Sequence, residues 1–213
     1  MQPPADCRWN FPPVDEWPVD DDVVATGADL EPDTLLWAYA HGMFPMRLRG
    51  PDSPIAWWSP VERGVIPLDG LCITRSMRRS ARRYRCTIDA AFERVMIECA
   101  TNRTDGNWIT EDFLDAYGKL HALGAAHSVE VWDGDRLVGG LYGVRLNRFF
   151  AGESMFHRAR DASKVALMHL VGSMVAAGMT LLDTQWCTSH LESLGCEVWE
   201  RADYLEALGA AVA

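Results

Sequence analysis

HSVEVWDGDRLVGGLYGVRLNRFFAGESMF, residues 127–156, is the stretch from which the fold class is read. His127 to Trp132 alternates apolar and polar side chains, the period-two pattern of a half-buried strand. Asp133-Gly134-Asp135 is turn chemistry, and Arg136 to Leu146 reads as the returning strand. Asn147-Arg148 turns the chain again into Phe149 to Phe156. An antiparallel meander is therefore predicted. Beyond it the apolar period lengthens into a helix from about Ala162 to Ala177, followed by a strand over Thr180 to Gln185. A short helix, Thr188 to Leu194, ends at Gly195 and leads to a strand over Glu197 to Arg201.

Upstream, strands are expected at Gly64 to Pro67 and Cys86 to Ile88, with helices at Ser76 to Arg83, Ala91 to Ala100 and Thr110 to Leu123. Antiparallel strands followed by strand-helix-strand give a mixed sheet with helices on both faces, an α/β (α+β) layered domain over residues 61–213. Residues 1–60 read as an acidic arm and a small N-terminal domain. The first 22 residues look extended and poorly structured. A helix opens at Glu31-Pro32 and stops at Gly42, and FPMRLRGPDSPIAWWSP (residues 44–60) reads as loop because of its Pro and Gly.

Composition bounds the function. Of 213 residues, 48% are apolar, enough for a real core, and no run of about 18 apolar residues spans a membrane. Met1 to Pro13 is polar and Pro-rich, unlike a secretory signal. The six cysteines are scattered without a C-x-x-C pair, so free thiols in a reducing cytoplasm are expected. The histidines show no H-x-x-x-H spacing, so neither a metal nor a cofactor is expected.

The net charge is −10, yet RSMRRSARRYR carries Arg75, Arg78, Arg79, Arg82, Arg83 and Arg85 with no acid among them. The first 33 residues hold nine acids against Arg8 alone. Six cations in eleven residues repel one another, and arginine's planar fork suits phosphate oxygens. Phosphate binding is the sharper reading and a solvated helix face the plainer one.

Three strand segments carry polar residues in apolar text. Glu153 lies among Phe149, Phe150, Met155 and Phe156, where a carboxylate is either partly buried with a raised pKa or an exposed edge residue. Asp183 and Gln185 are two apart, so on a strand they share a face, as a reactive pair or as an ordinary strand end. Gly139, Gly140 and Gly143 mark either a bulge or a close ligand approach. Leu167, Leu170, Val171 and Met174 form a helical stripe, read by itself as core. Trp57 and Trp58, in Pro-bounded text, suggest exposed stacking surfaces or domain packing.

These residues sit in longer blocks. GADLEPDTLLWAYAHGMFP, PIAWWSP, ITRSMRR, GNWIT, AYGKLHALGAAHSVEVW, LVGGLYGV, FFAGESMF, DASKVALMHL, LLDTQ and HLESLG follow in that order from about Phe11 to Leu205. In order and spacing they resemble the bacterial leucyl/phenylalanyl-tRNA–protein transferases. The resemblance implies a small N-terminal domain and a domain of the N-acetyltransferase-like (GNAT) fold. It implies transfer of Leu, less readily Phe or Met, from aminoacyl-tRNA to proteins beginning with Arg or Lys, marking them for degradation. It places Glu153, Asp183 and Gln185 at the reaction centre. It encloses the amino-acid side chain with Leu141, Phe150, Met155, Leu167, Leu170, Met174 and Leu182, replacing the plain-core reading of the helical stripe. The arginine block corresponds to the tRNA-contacting region and Trp108 to an aromatic beside the tRNA's terminal adenosine. Met46 stands where the family usually has Trp, so stacking on the terminal adenosine is expected either to be weaker or to be taken over by Trp57 or Trp58. Thr188 stands where Asn is frequent. A monomer is expected.

Two rivals belong to other classes. An acyl-CoA-dependent N-acetyltransferase would need a glycine-containing pyrophosphate turn, which RARDASKVAL lacks. A non-catalytic RNA-binding module would leave Glu153, Asp183 and Gln185 without a purpose.

Overall fold

The computed structural model describes residues 2–50, 52–101 and 109–213. Strand β1 (Val23–Thr26) and helix α1 (Pro32–Ala40) come first, followed by β2 (Phe44–Arg47), β3 (Ile55–Trp58) and β4 (Glu62–Val65). Then come α2 (Arg75–Ala81), β5 (Arg85–Ile88), α3 (Phe92–Thr101) and α4 (Glu111–Ala122). The meander is β6 (Ala126–Asp133), β7 (Arg136–Leu146) and β8 (Phe149–His157). Helix α5 (Ala162–Ala176) leads to β9 (Leu181–Gln185), α6 (Ser189–Glu192), β10 (Glu197–Glu200) and α7 (Arg201–Val212).

Seven strands make one mixed sheet in the order β10-β4-β9-β8-β7-β6-β5, with β8 and β9 as its parallel pair. Alternation along the strands sorts two cores. Val129, Val131, Phe150 and Leu182 pack against α5 and Met77 of α2. Tyr142, Phe149, Ala151 and Leu181 face α1, α3, α4 and α7. Helices therefore cover both faces, the α/β layering anticipated from the sequence. Among the described residues no helix is long and apolar enough to cross a membrane.

The region expected to be loop differs. Residues 44–47 and 55–58 are β2 and β3, which with β1 form a three-stranded sheet in the order β1-β3-β2. Pro45 concealed this, but β2 is an edge strand, where a missing N–H is tolerated. The acidic arm is irregular but docked. Trp17 is buried and its Nε1 donates to the Pro12 carbonyl, while Arg201 donates to the carbonyls of Pro18 and Asp21. Helix α7 was not anticipated. It follows β10 directly and buries Tyr204, Leu208 and Ala211, spaced by four and three residues on one face.

The strand glycines serve packing inside the protein. A Cβ on Gly139 would lie 2.6 Å from Ala162 Cβ, where α5 starts, and one on Gly143 would lie 2.1 Å from the Ala151 carbonyl oxygen. Between β7 and β8 the register jumps from Tyr142↔Ser154 to Gly143↔Gly152, so Glu153 is the extra residue of a bulge. Phe149 and Ala151 face α1 and α4, whereas Met155, beyond the bulge, packs toward α5.

Candidate active site

The parallel ladder joins Phe149–Ala151 to Leu181–Asp183 and ends there. On β8 the next element is the Glu153 bulge. On β9 it is Gln185, whose φ of +67° lies in the left-handed region that disfavours residues other than glycine. Both strands thus leave regular pairing at the polar residues singled out from the sequence. Beside them lies a cavity of about 600 Å³, with Glu153 and Gln185 on its wall.

Glu153 is 7% exposed and accepts three hydrogen bonds. Tyr39 donates to Oε1 at 2.7 Å, Tyr117 to Oε2 at 3.1 Å, and Gln185 Nε2 to Oε1 at 3.1 Å. Burial pushes its carboxyl up to about 7. The Tyr39 and Tyr117 hydrogen bonds oppose that rise, and the Asp183 charge adds to it. Burial also lifts both phenols well above their ordinary range, so each remains a donor.

Asp183 is fully buried, and its carboxylate is occupied. Arg63 Nε donates to Oδ1 at 2.8 Å and Nη2 to Oδ2 at 2.5 Å. Tyr204 donates to Oδ2 at 3.0 Å, and the backbone N–H of Gln185 donates to Oδ1 at 2.8 Å. Asp183 and Gln185 were expected side by side. The structure instead sets Asp183 behind Gln185: of the three, Gln185 and Glu153 line the cavity and Asp183 does not.

Leu141, Met155, Leu167, Leu170 and Leu182 line the cavity. Phe150 and Met174, 3% and 1% exposed, belong to the core and are not on its wall. Met46 lines it together with Phe44 and Pro45. Trp58 is half-buried, donates to the Met46 carbonyl at 3.2 Å, and meets Trp186 edge-on at 5.7 Å. The expectation of an accessible Trp57 is corrected. It is fully buried, with Nε1 donating to the Gly27 carbonyl at 2.8 Å, because its strand turns that side chain into the small sheet's core. Trp108 lies outside the described residues.

All six arginines are exposed. Ser76 and Ser80 bind Asp161 at the start of α5 and Met77 is buried, which fixes the inner side of α2. Arg83 pairs with Asp133, and Arg85 lies over the Trp132 ring at 5.4 Å. Arg75, Arg78, Arg79 and Arg82 form no ion pair among the described residues. Among the described residues the block therefore divides into four arginines without an ion pair and two engaged ones.

Residues 65–209 match the family described as leucyl/phenylalanyl-tRNA protein transferase, and residues 28–61 match its N-terminal domain. The chain belongs to this family. The leucyl/phenylalanyl-tRNA–protein transferase of Afipia carboxidovorans is 47% identical over 193 residues, 88% of this chain and 85% of its own length. Those of Tolumonas auensis and Stutzerimonas stutzeri are 46% and 48% identical over 190 residues, each covering 87% of this chain and 80% and 83% of their own. The chain is accordingly an aminoacyltransferase.

Four residues of the candidate site were not legible in the sequence: Tyr39, Arg63, Tyr117 and Tyr204. The signals were faint. Tyr39 lies in the apolar helix text TLLWAYA, and Arg63 follows Glu62 directly before Gly64-Val65-Ile66, like any charged pair at a strand start. Tyr117 was readable only as a residue of the predicted helix Thr110 to Leu123, and Tyr204 lay beyond the last predicted element.

Proposed function

We propose that this enzyme transfers leucine, and less readily phenylalanine or methionine, from aminoacyl-tRNA to the N-terminal amine of proteins beginning with arginine or lysine, marking them for degradation in the cytoplasm. One observation supports the reading above the others. The Glu153–Gln185 pair, 3.1 Å apart, sits on a cavity whose apolar wall is Leu141, Met155, Leu167, Leu170 and Leu182. Such a site suits one apolar aminoacyl side chain with its amine and ester carbonyl at the polar end.

The ester of aminoacyl-tRNA is already activated, so alignment supplies much of the rate. The acceptor nitrogen attacks the carbonyl carbon, the C–N bond forms and the ester C–O bond breaks. The proton lost by the amine ends on the departing ribose oxygen. Glu153, held near neutrality, takes up the amine proton, and Gln185 orients the reacting groups. Asp183 acts from behind, through Gln185. Arg75, Arg78, Arg79 and Arg82 hold tRNA phosphates, and Met46 with Trp58 offers a surface for the terminal adenosine. The enzyme works as a monomer without metal or cofactor.

The test is transfer of labelled leucine from charged tRNA to a peptide beginning with Arg, against one beginning with Asp. Absence of label on the Arg peptide, or equal label on both, overturns the reading.

A further inference from the structure

Arg63 is 1% exposed and is the one charged residue among the largest fully buried side chains described. Its guanidinium lies over two rings, 5.0 Å from the Phe44 centroid and 4.3 Å from that of Tyr204. Nε and Nη2 grip Asp183, Nη1 donates to the Gly42 carbonyl at 3.1 Å, and Nη2 also reaches the Tyr204 oxygen at 3.1 Å. All three guanidinium nitrogens are engaged. Burying such a pair gains little over packed apolar residues, so stability alone is a poor reason for it.

The local consequence of the pair is at Gln185. Asp183 Oδ1 accepts the Gln185 backbone N–H, and Gln185 holds φ +67°. A non-glycine residue persists in that conformation only where its surroundings over-determine it. Gly64, next to Arg63, tightens the same turn, since a Cβ there would lie 2.7 Å from Cys187 N and from Trp186 C. With its backbone so held, Gln185 places Nε2 on Glu153.

We propose that Arg63 is a positioning residue for the transfer reaction, fixing Asp183 so that Gln185 keeps its left-handed turn and its amide on Glu153. Tyr204, from the last helix, is the second member of this clamp. The inference rests on the transferase reading for its kinetic consequence and on geometry alone for its structural one.

The experiment compares full-length wild type with Arg63→Lys, Arg63→Gln and Tyr204→Phe. It measures kcat and KM for an Arg-start peptide with Leu-tRNA, tRNA affinity, and hydrogen exchange at the Gln185 amide, with the Tyr117 and Leu120 amides of α4 as controls. Arg63→Gln should lose about 100-fold in kcat, the scale of an ångström misplacement, with Arg63→Lys and Tyr204→Phe losing less. Peptide KM and tRNA affinity should hold. Gln185 exchange should quicken by more than that of the α4 amides, which report the overall loss of stability. Wild-type kcat in Arg63→Gln overturns the inference. So does a loss that falls equally on kcat, tRNA affinity and α4 protection in all three variants, since that marks a residue needed only for the fold. If wild type itself transfers nothing, the transferase reading fails, and Gln185 exchange still decides the positioning role: unchanged exchange in Arg63→Gln sinks it.

Discussion

The Tyr39 hydroxyl donates to Oε1 of Glu153 across 2.7 Å, carrying the first helix of the chain to the middle of the large sheet. Tyr117 reaches Oε2 of the same carboxyl, and the two phenol oxygens stand 2.5 Å apart. The three groups make three mutual contacts. With Glu153 ionised, only two hydroxyl hydrogens serve them; a protonated carboxyl supplies the third. Proton counting and burial point the same way, toward a carboxyl that gives up its proton near neutrality.

Catalysis that uses the ionised Glu153 should therefore show an acid limb. The rate should fall about tenfold per pH unit below about 7 and level off above it. Glu153→Gln should be slow and lack that limb. Single-turnover rates from pH 5 to 9 decide; a flat wild-type profile rejects the assignment.

The same carboxyl makes stability depend on pH. Its folded pKa is raised from 4.5 to about 7, so the fold prefers the protonated form. Its stabilising contribution is fully present below 4.5 and is lost as pH rises through about 7, by on the order of 3 kcal/mol. Urea melts at pH 5 and pH 8 should show wild type losing stability relative to Glu153→Gln. No difference between the two proteins' pH responses would contradict this.

Asp183→Asn should strand a buried guanidinium. Removing one partner of such a pair destabilises by about 3–5 kcal/mol, readable as a lower urea midpoint. Because Asp183 is shielded from the cavity, kcat should fall at saturating peptide, with peptide KM little changed. A rise confined to KM, with unaltered stability, would return Asp183 to direct contact with the acceptor.

Replacing Arg79 or Arg82 with Ala should weaken tRNA binding and flatten its log–log salt dependence by about one unit each. Arg83→Ala should change both less, because Arg83 already pairs with Asp133. Filter binding across a salt series checks it, and equal slopes for all three variants would refute the distinction.

Side-chain selection should be graded. Leu, unbranched at Cβ, should be preferred over Ile and Val by about 1–3 kcal/mol in transition-state terms, the scale of a misplaced methylene. Leu170→Ala enlarges the cavity wall and should raise Phe transfer relative to Leu. Competition between charged tRNAs measures both, and identical Leu and Val rates would reject the cavity as the side-chain site.

The sequence by itself determined the meander, the helix between β8 and β9, the arginine helix and the chemical identity of Glu153 and Gln185. These are written in the spacing of neighbouring residues, and that spacing follows from strand and helix geometry alone. It also carried the family resemblance. It did not reveal β2 and β3, because Pro45 is a break in a central strand and harmless on an edge. What only the tertiary structure decided is who meets whom. Arg63 and Asp183 are 120 positions apart, and Tyr39 and Glu153 are 114 apart. Which wall residues reach the cavity was settled there too: Leu167 and Leu170 do, while Met174 on the same stripe packs in the core. The burial that raises Glu153 and occupies Asp183 arises only when distant elements close over them. No local pattern encodes that closure, because solvent exclusion belongs to the assembled layers.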